Sequence, residues 1–122
     1  MSLQQLIMKV SDAATMVMKP TDFAATNEFA GNYMDPNHPG CKRIIAALSA
    51  NEVAVTGYDG ASGEGGKCNG KTDIVWGPLA GLVMGDKIII DFSPKGGPSN
   101  LTGTWTPGSK RITWADGNYW PM

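Results

Sequence analysis

The stretch Leu101-Thr102-Gly103-Thr104-Trp105-Thr106 puts Leu101, Gly103 and Trp105 on one side and three threonines on the other. A period of two belongs to a strand with one buried and one solvated face. Phe29-Ala30-Gly31-Asn32-Tyr33 repeats the pattern apolar-x-Gly-x-aromatic. Within a barrel, such a glycine lets the strand bend and the aromatic fills the interior.

Outward from this stretch the period of two persists. Strand candidates run over 42–48, 52–56, 72–76, 79–84, 87–92, 110–114 and 118–120. Turn signals separate them: Asn51, Asp59-Gly60, Asn69-Gly70, Gly77-Pro78, Gly85-Asp86, Pro107-Gly108 and Asp116-Gly117. Short strands so closely spaced predict an antiparallel meander. About eight of them, with no helical crossover, favour a small closed β-barrel that leaves no exposed edge. The glycine–aromatic pattern is similar to that of lipocalin-like (calycin) and avidin-like barrels.

Toward the N-terminus the period changes. Leu3, Leu6, Val10, Ala13 and Val17 recur at spacings of three and four, and Ile7 and Ala14 widen the stripe. That spacing predicts an amphipathic helix over 2–19, stopped by Pro20. The chain thus divides into a helix within 1–20 and a barrel domain over 21–122. Met8, Met16 and Met18 make the helix surface adaptable, which suits packing on its own barrel or docking on a partner.

The chain has 122 residues, room for one domain with one core. Gly occurs 16 times, roughly twice its usual share of ~7%. Ten Lys/Arg against eleven Asp/Glu leave a net charge of −1 with the charges scattered. No electrostatic footprint for nucleic acid or an anionic membrane follows. No apolar run approaches the ~20 residues of a spanning helix. The start of the chain lacks the basic and apolar regions of a signal peptide.

Three segments invite a chemical reading. Gly65 to Thr72 fits the G-x-x-x-x-G-K-T phosphate-loop expression. A working phosphate loop needs a helix after it, whereas Ile74-Val75-Trp76-Gly77-Pro78 predicts a strand. Asp35, His38, Cys41 and Cys68 offer zinc donors, but the second half of the site lacks a neighbouring ligand. Cys41 and Cys68 are compatible with two free thiols or with one disulfide that would close the long loop between them. Ser93 to Ser99 forms a rigid loop whose glycine amides beside Lys95 could cradle an anion. The lone His38 has no serine or cysteine in a nucleophile-elbow context, so a non-enzymatic protein without cofactor or metal is expected. Trp76, Trp105, Trp114 and Trp120 are many for this size and would fill, or line, the barrel.

Three motifs together resemble a family of small plastid β-barrel proteins of red-lineage algae such as diatoms. They are Gly31-Asn32-Tyr33-Met34-Asp35-Pro36-Asn37-His38-Pro39-Gly40-Cys41, Asp91-Phe92-Ser93-Pro94-Lys95-Gly96-Gly97-Pro98 and Trp114-Ala115-Asp116-Gly117-Asn118-Tyr119-Trp120. The resemblance spans roughly 28–120. The segment 56–69 and the helix at 2–19 fall outside it. It implies a plastid setting and no defined reaction. The expectation is an accessory, peripheral subunit of a thylakoid photosynthetic complex, photosystem I on the stromal face being favoured. It would act by protein–protein contact with subunits of that membrane complex, without nucleic acid or a membrane span, and with pigment or lipid within reach. Contacts are expected from Leu3, Leu6, Ile7, Val10, Val17 and Met18 on the helix, and from His38 and Lys95 on rigid loops. The alternative is a barrel that holds a small ligand in its interior, as lipocalins and avidins do.

Overall fold

The computed structural model describes residues 27–122. The helix expected over 2–19 lies outside them, as do Leu3, Leu6, Ile7, Val10, Val17 and Met18. Eight antiparallel strands form one sheet in sequence order: β1 Gly31–Met34, β2 Lys42–Ala47, β3 Glu52–Asp59, β4 Ile74–Met84, β5 Lys87–Ile90, β6 Leu101–Thr106, β7 Arg111–Trp114 and β8 Tyr119–Pro121. The two ends of the sheet approach each other. The Tyr33 and Trp120 rings lie 6.4 Å apart, and the Asn118 side chain donates to Asp35 at 3.0 Å. The sheet is thereby rolled into a nearly closed barrel. The helical piece among the described residues is a 3-10 turn at Ser93–Lys95, and no helix among them is long and apolar enough to cross a membrane.

Alternation sets the interior. Val53, Val55, Leu79, Val83, Ile88, Ile90 and Ile112 point inward and are almost fully buried. They pack the barrel body with side chains, as expected for a small barrel. Gly103 is buried opposite Trp114, and a Cβ there would meet Ile112 Cγ2 at 2.5 Å. The glycine of the repeated pattern therefore makes room for a neighbouring strand's side chains. Leu101 and Trp105 pack only partly buried against the core.

One expected turn is overturned. Gly77-Pro78 does not end a strand: 74–84 is a single strand, and the two residues form a bulge within it. Val55 pairs with Leu79 and Gly57 with Trp76, so Thr56 alone faces both. The bulge suits these residues. Gly77 adopts φ +96° against the Val55 carbonyl, and proline supplies no N–H that a ladder would miss.

Meander topology also decides where loops go. Connections after β2, β4 and β6 are tight and share one end of the barrel. Connections 35–41, 60–73, 91–100 and 115–118 share the other end and form its mouth. Cys41 and Cys68 are joined in a disulfide that ties the first two of these loops together.

Candidate functional site

At the mouth the aliphatic packing gives way to an aromatic layer. Phe92 meets Trp76, Trp114 and Trp120 edge-on, with ring centroids 5.7–6.2 Å apart, and Trp114 meets Trp120 at 4.8 Å. Above this layer lies a recess of about 250 Å³. Among the described residues, the interior expected to hold a ligand is thus filled in the barrel's body and open at this mouth.

Arg43 is the central polar group. It shares the inward parity of Ile45 on β2 and is 1% exposed. Its Nη2 donates to Asp35 Oδ2 at 3.2 Å and Asp59 Oδ1 at 3.1 Å, and its Nη1 donates to the Tyr58 carbonyl. The guanidinium carbon lies 5.1 Å from the Trp76 ring centre and 5.8 Å from that of Trp120. Such stacking favours a planar, weakly hydrated cation.

The loops complete the rim. Asp35 Oδ1 accepts the Asn37 amide at 2.9 Å, which shapes the Asp35-Pro36-Asn37-His38 turn. His38 Nδ1 lies 3.0 Å from Asp35 Oδ2. Lys95 Nζ pairs with Asp59 Oδ2 at 3.0 Å and stands 4.5 Å over Trp76, whose indole N–H donates to Asp59 Oδ1. Asn118 donates to Asp35, bridging a sequence separation of 83. The three motifs on which the resemblance rests therefore converge on one recess. His38 and Lys95, expected as partner contacts, are both held there by carboxylates.

Two carboxylates respond to acid. Burial would raise the Asp35 carboxyl, but hydrogen bonds from Asn118, the Asn37 amide and His38, with the Arg43 charge, outweigh it and hold it below the usual range. At Asp59 burial is likewise outweighed by the Lys95 hydrogen bond and charge, the Trp76 N–H and the Arg43 charge. Both depressed values mean that the ionised forms stabilise the fold. That contribution is complete above the ordinary carboxylate value of 3.8 and is lost as pH falls through the folded-state values below it. Unfolding free energy should thus decline between about pH 5 and pH 2, and less steeply in Asp35→Asn. Urea titrations at stepped pH, read by tryptophan emission, check this; an unaltered slope in Asp35→Asn counts against it.

Two other expected sites change character. Amides in the Ser93–Ser99 loop are spent on the loop itself: Lys95 and Gly97 donate to Phe92 O, and Gly96 donates to Ser93 O. No anion cradle remains there. The phosphate-loop look-alike leads directly into β4, and its turn is self-contained, with the Asn69 and Gly70 amides bonded to Asp73. Cys41 and Cys68 are consumed by their bond. Among the described residues no three His, Cys, Asp or Glu side chains are grouped to hold a metal ion.

Sequence reasoning named Trp76, Trp114 and Trp120 as barrel fillers but missed Arg43, Asp59 and the gathering of those indoles with Phe92 at the mouth. Their signal was parity: Arg43 is in phase with Ile45, and Asp59 with Val53, Val55 and Gly57, so both charges point inward at one end. The residues around the recess include no hydroxyl or thiol nucleophile. What the arrangement can do is hold a small molecule against the aromatic layer within a fixed set of hydrogen-bonding groups. Comparison with known protein families, curated proteins and solved structures finds no match.

Proposed function

We propose that the protein is a small-ligand binder whose site is the mouth of the barrel. The observation that carries this reading is the convergence of the 35–41, 91–98 and 114–120 segments on one aromatic-floored recess around Arg43. A fold maintained only for packing has little use for a buried guanidinium. Replacing such a group and its partners by apolar side chains of similar volume is often neutral or stabilising. The barrel body supplies rigidity, and the loops supply the selective groups.

The four indoles provide a built-in test. Trp76, Trp114 and Trp120 surround the recess, whereas Trp105 packs against Phe29 and Tyr33 at the opposite end. Uncharged one- and two-ring fragments, titrated into the ¹⁵N-labelled protein, should shift the indole N–H signals of the first three and leave Trp105 in place. Fragments that shift none of the four, or only Trp105, would defeat the reading.

A second reading is favoured by the outer surface. Ile44, Ala46, Ala54, Ala80, Leu82 and Ile89 adjoin across β2 to β5, with Leu82 55% exposed and Met84 beyond it 64% exposed. Apolar area of this kind on a barrel exterior suits contact with an apolar face of a neighbouring protein subunit. It supports the accessory-subunit role that the family resemblance implies, in a plastid thylakoid complex and first of all photosystem I on its stromal side. A native gel of gently solubilised thylakoids separates the outcomes. Comigration with a large complex supports this role, and migration only as a free 12.9 kDa chain removes it.

A further inference from the structure

We infer that the recess takes an uncharged, planar ligand bearing a carbonyl acceptor, of the amide or lactam class, and discriminates against carboxylates and cations. This rests on the ligand-binding reading above.

Charge balance comes first. The two cations of the site are already paired, Arg43 with Asp35 and Asp59, Lys95 with Asp59. Asp116 adds a further carboxylate at the rim. An incoming carboxylate would meet three acidic groups and find both cations engaged. Giving up its hydration without a free counter-charge is costly in a partly buried site. An incoming cation fares no better, because the Trp76 face is taken by Lys95 at 4.5 Å and the guanidinium at 5.1 Å.

The unsatisfied groups then set the polarity of the ligand. Arg43 Nε and Trp114 Nε1 are buried without a hydrogen-bond partner, and both residues line the recess. Both atoms are donors. An unpaired buried donor is unfavourable, and native structures seldom leave one without a role. A ligand carbonyl would supply the missing acceptor once a side-chain shift opens either atom to the recess. His38 offers the complement. Its Nδ1 faces the Asp35 carboxylate, which only accepts, so in the neutral tautomer Nδ1 carries the proton and Nε2 is an acceptor. One carbonyl and one N–H together describe an amide. The aromatic floor and a volume of about 250 Å³, below the ~300–1,000 Å³ of drug-sized sites, limit the body to one or two rings.

Matched pairs test this: benzamide against benzoate and nicotinamide against nicotinate, with phenyltrimethylammonium as the cation and toluene as the apolar control. Affinities come from ¹⁵N-detected titrations of the oxidised full chain at pH 7.5. Each amide should bind at least tenfold more tightly than its carboxylate and move the Trp114 indole N–H downfield. Trp114→Phe keeps the ring in the layer and removes the donor. It should weaken the amides about tenfold more than it weakens toluene. Carboxylate binding as tight as amide binding, or tightest binding by the ammonium, overturns the inference while the site stands as a ligand site. Toluene alone binding overturns it too and leaves an apolar recess. Silence from every probe overturns it together with the reading beneath it.

Discussion

Arg43→Met is expected to lower the free energy of unfolding by about 3–5 kcal/mol, the range found when one partner of a buried ion pair is removed. The side chain is 1% exposed and Asp35 is 5% exposed, so solvent cannot replace the lost charge. Four acceptors lose a donor at once: Asp35 Oδ2, Asp59 Oδ1 and the Tyr58 and Lys42 carbonyls. Methionine keeps much of the volume, so the loss reads chiefly as electrostatics and not as a cavity. Asp59 retains the Lys95 charge and the Trp76 N–H, whereas Asp35 keeps hydrogen bonds from Asn118, the Asn37 amide and His38. The deficit is therefore centred on Asp35. Adding Asp35→Asn to Arg43→Met should recover a substantial part of it, a coupling that a double-mutant cycle measures. Arg43→Lys should not rescue the fold, because one ammonium on a flexible stem cannot reach two carboxylates and a carbonyl in a planar fork. Guanidinium chloride unfolding followed by tryptophan emission measures all five proteins: the wild type, Asp35→Asn, Arg43→Met, the double variant and Arg43→Lys. A loss below about 1 kcal/mol for Arg43→Met, the ceiling for an exposed pair, would mean that the guanidinium is solvated.

The parts of this structure that were legible in the sequence are those fixed by neighbours in the chain. The alternation at Leu101–Thr106 and the two-residue turn at Gly85-Asp86 are local, and both stand in the structure. Gly77-Pro78 misled because the features that favour a turn also favour a bulge: positive φ and a missing N–H. Only the pairing of Thr56 with both residues distinguishes the two cases, and pairing is not local. Charge on an inward parity was readable at Arg43 and Asp59, since each continues a run of buried positions. Reading it required trusting the period over the prior that charged residues face water. The recess itself was beyond sequence reasoning. A meander places alternate loops at one end, but whether those loops fold inward depends on contacts such as Asn118 to Asp35. The stretch at 114–120 names neither the distance nor the partner of that contact.

The bond between Cys41 and Cys68 is the other large contributor, and reducing it is expected to cost about 3.5 kcal/mol. It closes a loop of sequence separation 27, and the chain-entropy argument assigns that figure to a loop of this length. The local structure supports a value near this figure. The segment 60–73 is mostly exposed and contributes no residue to the core cluster. Besides the disulfide, the Cys68 amide donating to Pro39 O at 2.9 Å ties it to the first mouth loop. Little else compensates once the bond is cut. Cys41 is fully buried, so the pair Cys41→Ala and Cys68→Ala is a better probe than serine, which would leave a hydroxyl seeking a partner. Thermal unfolding of that variant, and of the reduced wild type, should move down by at least about 10 °C. The strand amides of β5 to β7 should keep their chemical shifts below the transition, because the bond lies between loops and not within the core. Asp35 and His38 sit on the loop that the bond anchors, so amide binding at the mouth should weaken in the same variant while the barrel stays folded. Reduced and oxidised proteins unfolding within about 1 kcal/mol of each other would show that the two loops are held by packing alone, and that the mouth is built without its covalent tie.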